Sequence, residues 1–130
     1  MEPIFRTEPR LLPILNALKE REPIFHTTAY GNSPGDRERV LDADYWEVGA
    51  SGRRYSRDYV LGVLEKRDEI LIDPSWQTRD FWCRELASDT YLLTYTLAQG
   101  DRITRRSTIW RQTTQGWKIL YHQGTIVQDS

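Results

Sequence analysis

"TYLLTYTLAQGDRITRRSTIWRQTTQGWKILYHQGTIV", residues 90–127, decides the fold. Apolar and polar residues largely alternate through it, the period of strands whose two faces differ. Gln99-Gly100-Asp101 and Thr114-Gln115-Gly116 interrupt the alternation. Breaks this short, carrying Gly and Asp, join consecutive strands as antiparallel hairpins. Three long strands are therefore predicted, at Thr90–Ala98, Arg102–Thr113 and Trp117–Val127. A fourth, Thr78–Leu86, precedes them and is closed by Ser88-Asp89.

Working outward, the pattern changes near residue 75. Upstream it is helical. A first helix starts around Pro9 or Pro13, where proline's missing N–H costs nothing. Leu11, Leu15 and Leu18, with Leu12 and Ile14 beside them, form its apolar stripe. Pro23 interrupts that helix. "PIFHTTAYG" continues as a short helical turn, and "GNSPG" (31–35) is a loop. A second helix runs from Pro34 to Leu41 with Ser33 as its N-cap. "DYWEVGASGRRYS" (44–56) reads as a strand, a Ser-Gly turn and a short return. Ser56 then caps a third helix, with Asp58 near its positive end and Tyr59, Val60, Val63 and Leu64 on its buried side. Helices followed by a long antiparallel meander indicate an α+β fold, with helices on one face of a sheet long enough to curl around a pocket.

Composition sets the outer limits. A chain of 130 residues with 38% hydrophobic and 28% charged residues is one globular domain, 1–130. A formal net charge of −1 gives no global pull on nucleic acid or anionic lipid. Cys83 is the only cysteine, so no intrachain disulfide can form, which fits a reducing cytoplasm. The sequence contains no membrane-spanning apolar run and no recognisable secretory signal.

The order helix, helix, strand, helix and four-stranded meander, closing on "GW-x-I-x-Y-H", resembles the nuclear transport factor 2-like superfamily. The bacterial branch near the SnoaL-like polyketide cyclases looks nearest. "REPIFH" (21–26), "YWEVGASGRRYSR" (45–57), "TYLLTYTL" (90–97), "TRRSTIWR" (104–111) and "GWKILYHQGTIV" (116–127) carry the resemblance. It implies a cone-shaped α+β fold with N-terminal helices packed on a strongly curved antiparallel sheet. It does not imply one activity, because that scaffold carries isomerases, dehydratases, cyclases, transport factors and accessory domains. The tyrosine-plus-two-carboxylate arrangement of its steroid isomerases has no clear counterpart here.

Candidate chemistry is therefore read residue by residue. On the last strand, Leu120, His122 and Gly124 share one face, and Trp117, Ile119, Tyr121 and Gln123 share the other. Both faces are apolar enough to be covered, which points to a homodimer through the sheet. His122 is then either a catalytic cavity residue or a histidine bonded within the core or interface. His26, the other histidine, follows the break at Pro23. The resemblance places it near the mouth or floor of the cone; a role at a helix C-terminus is the alternative. Two histidines need a further ligand, such as Asp44 or Glu47, to hold zinc, so no metal is expected. Glu47 is a general base or acid if buried, since desolvation raises its pKa. Alternation instead gives Trp46 and Val48 the core face and leaves Glu47 exposed.

"RITRRSTIWR" (102–111) divides by alternation into Arg102, Thr104, Arg106, Thr108 and Trp110 on one face and Ile103, Arg105, Ser107, Ile109 and Arg111 on the other. A basic cluster split in this way is a weak nucleic-acid signal and fits cross-strand ion pairing. Alternatively, Arg106 beside Trp110 inside the cone could take a ligand carboxylate by paired hydrogen bonds. Trp46, Trp82 and Tyr95 complete the expected ligand-binding set with His26, Arg106 and Trp110. "GASGRRYS" (49–56) lacks phosphate-loop spacing, and no nucleophile elbow is present. Two readings stand at this point. One is a cofactor-independent pocket protein that binds, or moves protons on, a small organic molecule. The other is a non-catalytic dimerisation or accessory module whose cone is filled by side chains.

Overall fold

The structure is a computed structural model and describes residues 2–22, 34–67 and 75–128. A short 3-10 turn, Pro9–Leu11, leads into helix α1, Leu12–Arg21, so both prolines suggested by the sequence mark the start. Lys19 and Arg21 in the last turn suit the negative end of its dipole. Helices α2 (Pro34–Val40) and α3 (Arg57–Arg67) flank strands β1 (Leu41–Val48) and β2 (Arg54–Ser56). The meander follows as β3 (Gln77–Ala87), β4 (Thr90–Gln99), β5 (Arg102–Thr113) and β6 (Gly116–Ile126). Its turns place Gly100 at φ 64° and Gly116 at φ 104°, backbone that side chains other than glycine rarely adopt.

The six strands among the described residues form one sheet in the order β2-β1-β6-β5-β4-β3. The meander pairs antiparallel throughout, as the hairpin turns require. β1 departs from the expected all-antiparallel sheet and pairs parallel with β6. A parallel pair needs a long crossover, and the whole chain from β2 to β5 supplies it. Helix α1 packs on β3, α2 packs on β1 and β6, and α3 packs on β1 and β2.

Bulges curl the sheet. β3 shifts register between Arg79 and Trp82, where Asp80 has φ 62°. β6 shifts between Tyr121 and Ile119, so Leu120 is an extra residue opposite the Ile109–Trp110 step of β5. That extra residue corrects the simple alternation of the last strand. Ile119 and Trp117 join the His122 side instead of the Tyr121 side, and Ile119 is fully buried beside Trp110.

The core lies on the concave face, with Leu18 of α1 and Leu41, Tyr45, Leu93, Tyr95, Leu97, Trp110 and Ile119 of the sheet all buried. On α3, Ser56 Oγ accepts from the backbone N–H of Tyr59 at 3.2 Å, the expected cap. Of the buried side predicted for α3, Val60 is buried, whereas Tyr59 and Val63 are exposed. Tyr59 turns outward to stack on Tyr55 at 4.7 Å between ring centroids.

Candidate functional site: a buried carboxylate, an imidazole and a guanidinium

The apolar stripe of α1, Leu11, Leu15 and Leu18, has its next position at residue 22. That position carries a glutamate, and Glu22 is 1% exposed at the end of the helix. A carboxylate on a core stripe must be hydrogen-bonded or neutral. Glu22 Oε1 accepts from Tyr95 Oη at 2.8 Å and from Thr108 Oγ1 at 2.6 Å. Glu22 Oε2 accepts from Trp110 Nε1 at 3.0 Å. The three donors stand on the concave faces of β4 and β5, where alternation places Tyr95, Thr108 and Trp110 inward together.

His122 extends this cluster across to β6. It lies opposite Thr108 in register, with Nδ1 2.7 Å from Thr108 Oγ1 and 3.6 Å from Glu22 Oε1. Its other nitrogen, Nε2, is 3.5 Å from Arg106 Nη1. Arg106 Nε donates to Thr104 Oγ1 at 3.0 Å, which orients the guanidinium along the strand. Gly124 is the cross-strand partner of Arg106, and a Cβ there would approach Arg106 Cζ to 3.3 Å. The bare glycine thus lets the guanidinium lie close over β6. On the other side of His122, Glu47 is its register partner on β1 and accepts from Tyr45 Oη at 2.7 Å.

Burial raises the Glu22 carboxyl from 4.5 to about 7, against the opposing effects of its Thr108, Tyr95 and Trp110 hydrogen bonds and the Arg106 charge. Burial, reinforced by the Glu22 charge, holds the Tyr95 phenol well above its ordinary value. Burial and the neighbouring Glu47 do the same to Tyr45. Burial lowers the Arg106 guanidinium, though guanidinium remains protonated at any ordinary pH. The array is therefore a carboxyl group poised near neutrality, linked through a hydroxyl to an imidazole, with a fixed cation at the far end.

The structure brings His122, Glu47, Arg106, Tyr95 and Trp110 to the concave side of one sheet. It answers the question left by the last strand, because the His122 face points inward and Tyr121 and Gln123 point outward. Glu47 is half-buried on the inner face, not exposed as alternation suggested. Trp46 is correspondingly a correction: it lies on the outer face, 44% exposed and edge-on to Tyr121 at 4.9 Å. The parallel pairing of β1 with β6 sets this register and turns Tyr45 and Glu47 inward. Trp82 is a second correction. It faces outward and donates from Nε1 to the Arg6 carbonyl at 3.3 Å, while Phe81 takes the inner position and stacks on Tyr95 at 4.9 Å. Arg106 meets His122 and Thr104, and Trp110 meets Glu22, so both lie on the concave face of β5, the face that alternation gave them. His26 lies outside the described residues. Among the described residues, no group of three His, Cys, Asp or Glu side chains is placed to hold a metal ion.

Glu22 is the residue that the sequence reading passed over. Its signal was its place on the Leu11–Leu15–Leu18 stripe, a carboxylate at a core position. An open cleft of about 570 Å3 also lies between residues 2–5 and strands β3 to β5, with Phe5, Trp82, Thr94, Tyr95, Arg105 and Arg106 in its lining.

No protein-family model matches the sequence. No curated protein matches it either. Solved structures do match. One is a protein of unknown function of the DUF3225 family from Pectobacterium atrosepticum, 16% identical, with a TM-score of 0.69 over 93% of this chain and 94% of that one. Another is a nuclear transport factor 2-like protein from Cytophaga hutchinsonii, 16% identical, with a TM-score of 0.67 over 93% of this chain and all of the other. The chain has the nuclear transport factor 2-like fold. A candidate ketosteroid isomerase from Parabacteroides distasonis, 13% identical, shares it with a TM-score of 0.62 over 95% of this chain and 90% of that one. Identities this low establish the nuclear transport factor 2-like architecture and leave the chemistry to the site itself.

Proposed function

We propose that this nuclear transport factor 2-like protein binds a small organic molecule on the concave face of its sheet and moves protons on it without a cofactor. Isomerisation, dehydration and cyclisation are the reaction classes that fit. One observation carries the reading: a buried carboxyl–hydroxyl–imidazole array, Glu22–Thr108–His122, ends beside the Arg106 guanidinium. In this reading His122 Nε2 is the general base or acid. Arg106, positioned by Thr104 and Gly124, stabilises negative charge developing on a carbonyl or carboxylate oxygen of the ligand. Glu47, held by Tyr45, is the second carboxylate in reach of the same strand position.

The test is a thermal-shift screen against small keto, enol and carboxylic compounds, run on the wild type, His122→Ala, Glu47→Gln and Arg106→Gln. A compound that stabilises the wild type and loses at least tenfold in affinity in Arg106→Gln, with turnover abolished in His122→Ala, supports the reading. Hits that stabilise all four proteins equally overturn it.

The alternative, a non-catalytic module, is favoured by Tyr95 and Trp110, whose polar atoms are already committed to Glu22. We also propose that a second copy of the chain covers the outer face around Trp46 and Tyr121. The lone Cys83 is 2% exposed with its thiol pushed up to about 11 by burial, a structural thiol suited to a reducing cytoplasm. No helix among the described residues is long and apolar enough to cross a membrane.

A further inference from the structure

Thr108 stands between two groups that can each accept its single hydroxyl hydrogen. Its Oγ1 is 2.6 Å from Glu22 Oε1 and 2.7 Å from His122 Nδ1. A threonine hydroxyl donates one hydrogen bond and accepts others. When Glu22 is ionised it can only accept, so Thr108 donates to it and His122 Nδ1–H donates to Thr108. His122 Nε2 is then the bare nitrogen, and Arg106 Nη1, which can only donate, lies on that side. The hydrogen-bond directions are consistent along the whole row.

We propose that Thr108 is a proton relay, so that a proton taken up at His122 Nε2 ends on Glu22 and the imidazole stays neutral throughout. The transfer balances without any other reactant. A proton reaches Nε2 from a bound acid; the Nδ1 proton passes to Thr108 Oγ1; the original Thr108 hydroxyl proton passes to Glu22 Oε1. The products are a neutral Glu22 carboxylic acid, an intact Thr108 hydroxyl turned towards Nδ1, and His122 as its Nε2–H tautomer, which donates at Nε2 and so gives up the hydrogen bond from Arg106 Nη1. The reverse sequence returns the proton through Nε2.

An imidazolium at His122 would be repelled by the Arg106 guanidinium at hydrogen-bond range and attracted by the Glu22 carboxylate 3.6 Å from Nδ1. Handing the Nδ1 proton on to Glu22 relieves the repulsion and leaves no separated charge pair buried between them. Passing the charge to Glu22 neutralises a buried carboxylate instead, one already raised towards neutrality by burial. Among the described residues, the titratable groups that face this pair from β1 and β4 fit the same account. Tyr95 of β4 and Tyr45 of β1 are phenols held above their ordinary range and remain protonated. Glu47 of β1 is bonded to Tyr45, and Trp110 of β5 donates only to Oε2, which leaves Oε1 as the oxygen that takes the relayed proton. Glu22 and Thr108 are positioning and relay groups in this scheme; of the three members of the relay, only His122 meets a ligand.

The inference rests on reading His122 as the pocket's acid/base group, but its test needs no ligand. Nitrogen NMR of the imidazoles, with the chain's two histidines separated by a His26→Gln variant, reports which ring nitrogen carries hydrogen. In the wild type, lowering the pH through neutrality is expected to exchange the bare nitrogen of His122 from Nε2 to Nδ1, with no stage at which both are protonated. Glu22→Gln is expected to hold one tautomer across the same range, and Thr108→Val to uncouple the ring from Glu22. A wild-type His122 that becomes imidazolium over that range, or keeps Nδ1–H on both sides of it, overturns the relay. So does a folded Thr108→Val protein whose His122 still switches. The wild-type titration decides the matter even if a variant does not fold. A negative ligand screen with a positive tautomer switch would sink the proposed function and leave the relay standing.

Discussion

A carboxyl group that titrates at 4.5 in an ordinary setting and about 7 in the folded chain makes stability depend on pH. Glu22 is raised, so the folded state holds its proton more tightly than the unfolded state. Its stabilising contribution is fully present below about pH 4.5 and is lost progressively as pH rises to about 7. A shift of this size corresponds to roughly 3 kcal/mol. Glu22→Gln removes the titration, so the difference in unfolding free energy between variant and wild type is expected to move in the variant's favour from pH 5 to pH 8. Urea denaturation at several pH values measures it, and parallel curves would show that Glu22 is not raised. Glu22 was visible in the sequence as the fourth member of a helical stripe, but its partners were not. Tyr95, Thr108, Trp110 and His122 lie more than 70 residues away along the chain, and only the stacking of α1 on the sheet brings them within hydrogen-bond distance.

Strand β6 shows what one added residue does. With Leu120 bulged out, Trp117 and Ile119 share the concave side with His122; without it they would face outward, since a one-residue slip exchanges the two faces. Deleting Leu120 is therefore expected to cost more than about 3 kcal/mol, because it either exposes Ile119 and Trp117 or turns His122 out of its network. Loss of a cooperative thermal transition, or a large fall in the urea midpoint, is the expected result. A near-wild-type midpoint would mean that the bulge is not needed for the register. The sequence marked the turn that opens β6, because Thr114, Gln115 and Gly116 interrupt the alternation there. It could not mark the bulge, since Leu120 differs in no way from the apolar residues beside it. β1 was ambiguous for a related reason. "DYWEV" is apolar on both faces, and only its parallel pairing with β6 chose Tyr45 and Glu47 as the inner residues.

Taken whole, the molecule covers its concave face with helices and leaves aromatic surface on the convex side. Trp46, 44% exposed and packed edge-on against Tyr121, is the centre of that surface, with Ile109 of β5 on the far side of Tyr121. A tryptophan presented on a sheet in this way is a strong anchor for an interface. If a second copy covers it, Trp46→Glu will convert a dimer into a monomer in sedimentation experiments, with the unfolding transition otherwise retained. A wild type that sediments as a monomer at all concentrations would overturn the dimer. The concave-side network lies across the sheet from Trp46, so this substitution is expected to leave the pH response of Glu22 unchanged.

Local rules account for most of the secondary structure. Proline placed the start of α1, serine capped α3, and glycine-bearing turns divided the meander, because each acts through backbone geometry within a few residues. Two-residue alternation likewise sorted β5 into its faces, with Arg106, Thr108 and Trp110 together. What lay beyond the sequence was every choice made by distant partners: the parallel seam that turned Glu47 inward and Trp46 outward, the bulges that put Phe81 inside instead of Trp82, and the closure of α1 over the cone. Such choices depend on which surfaces meet after the chain has folded back on itself. The inward face of His122, and the carboxyl group that answers it, are decided only there.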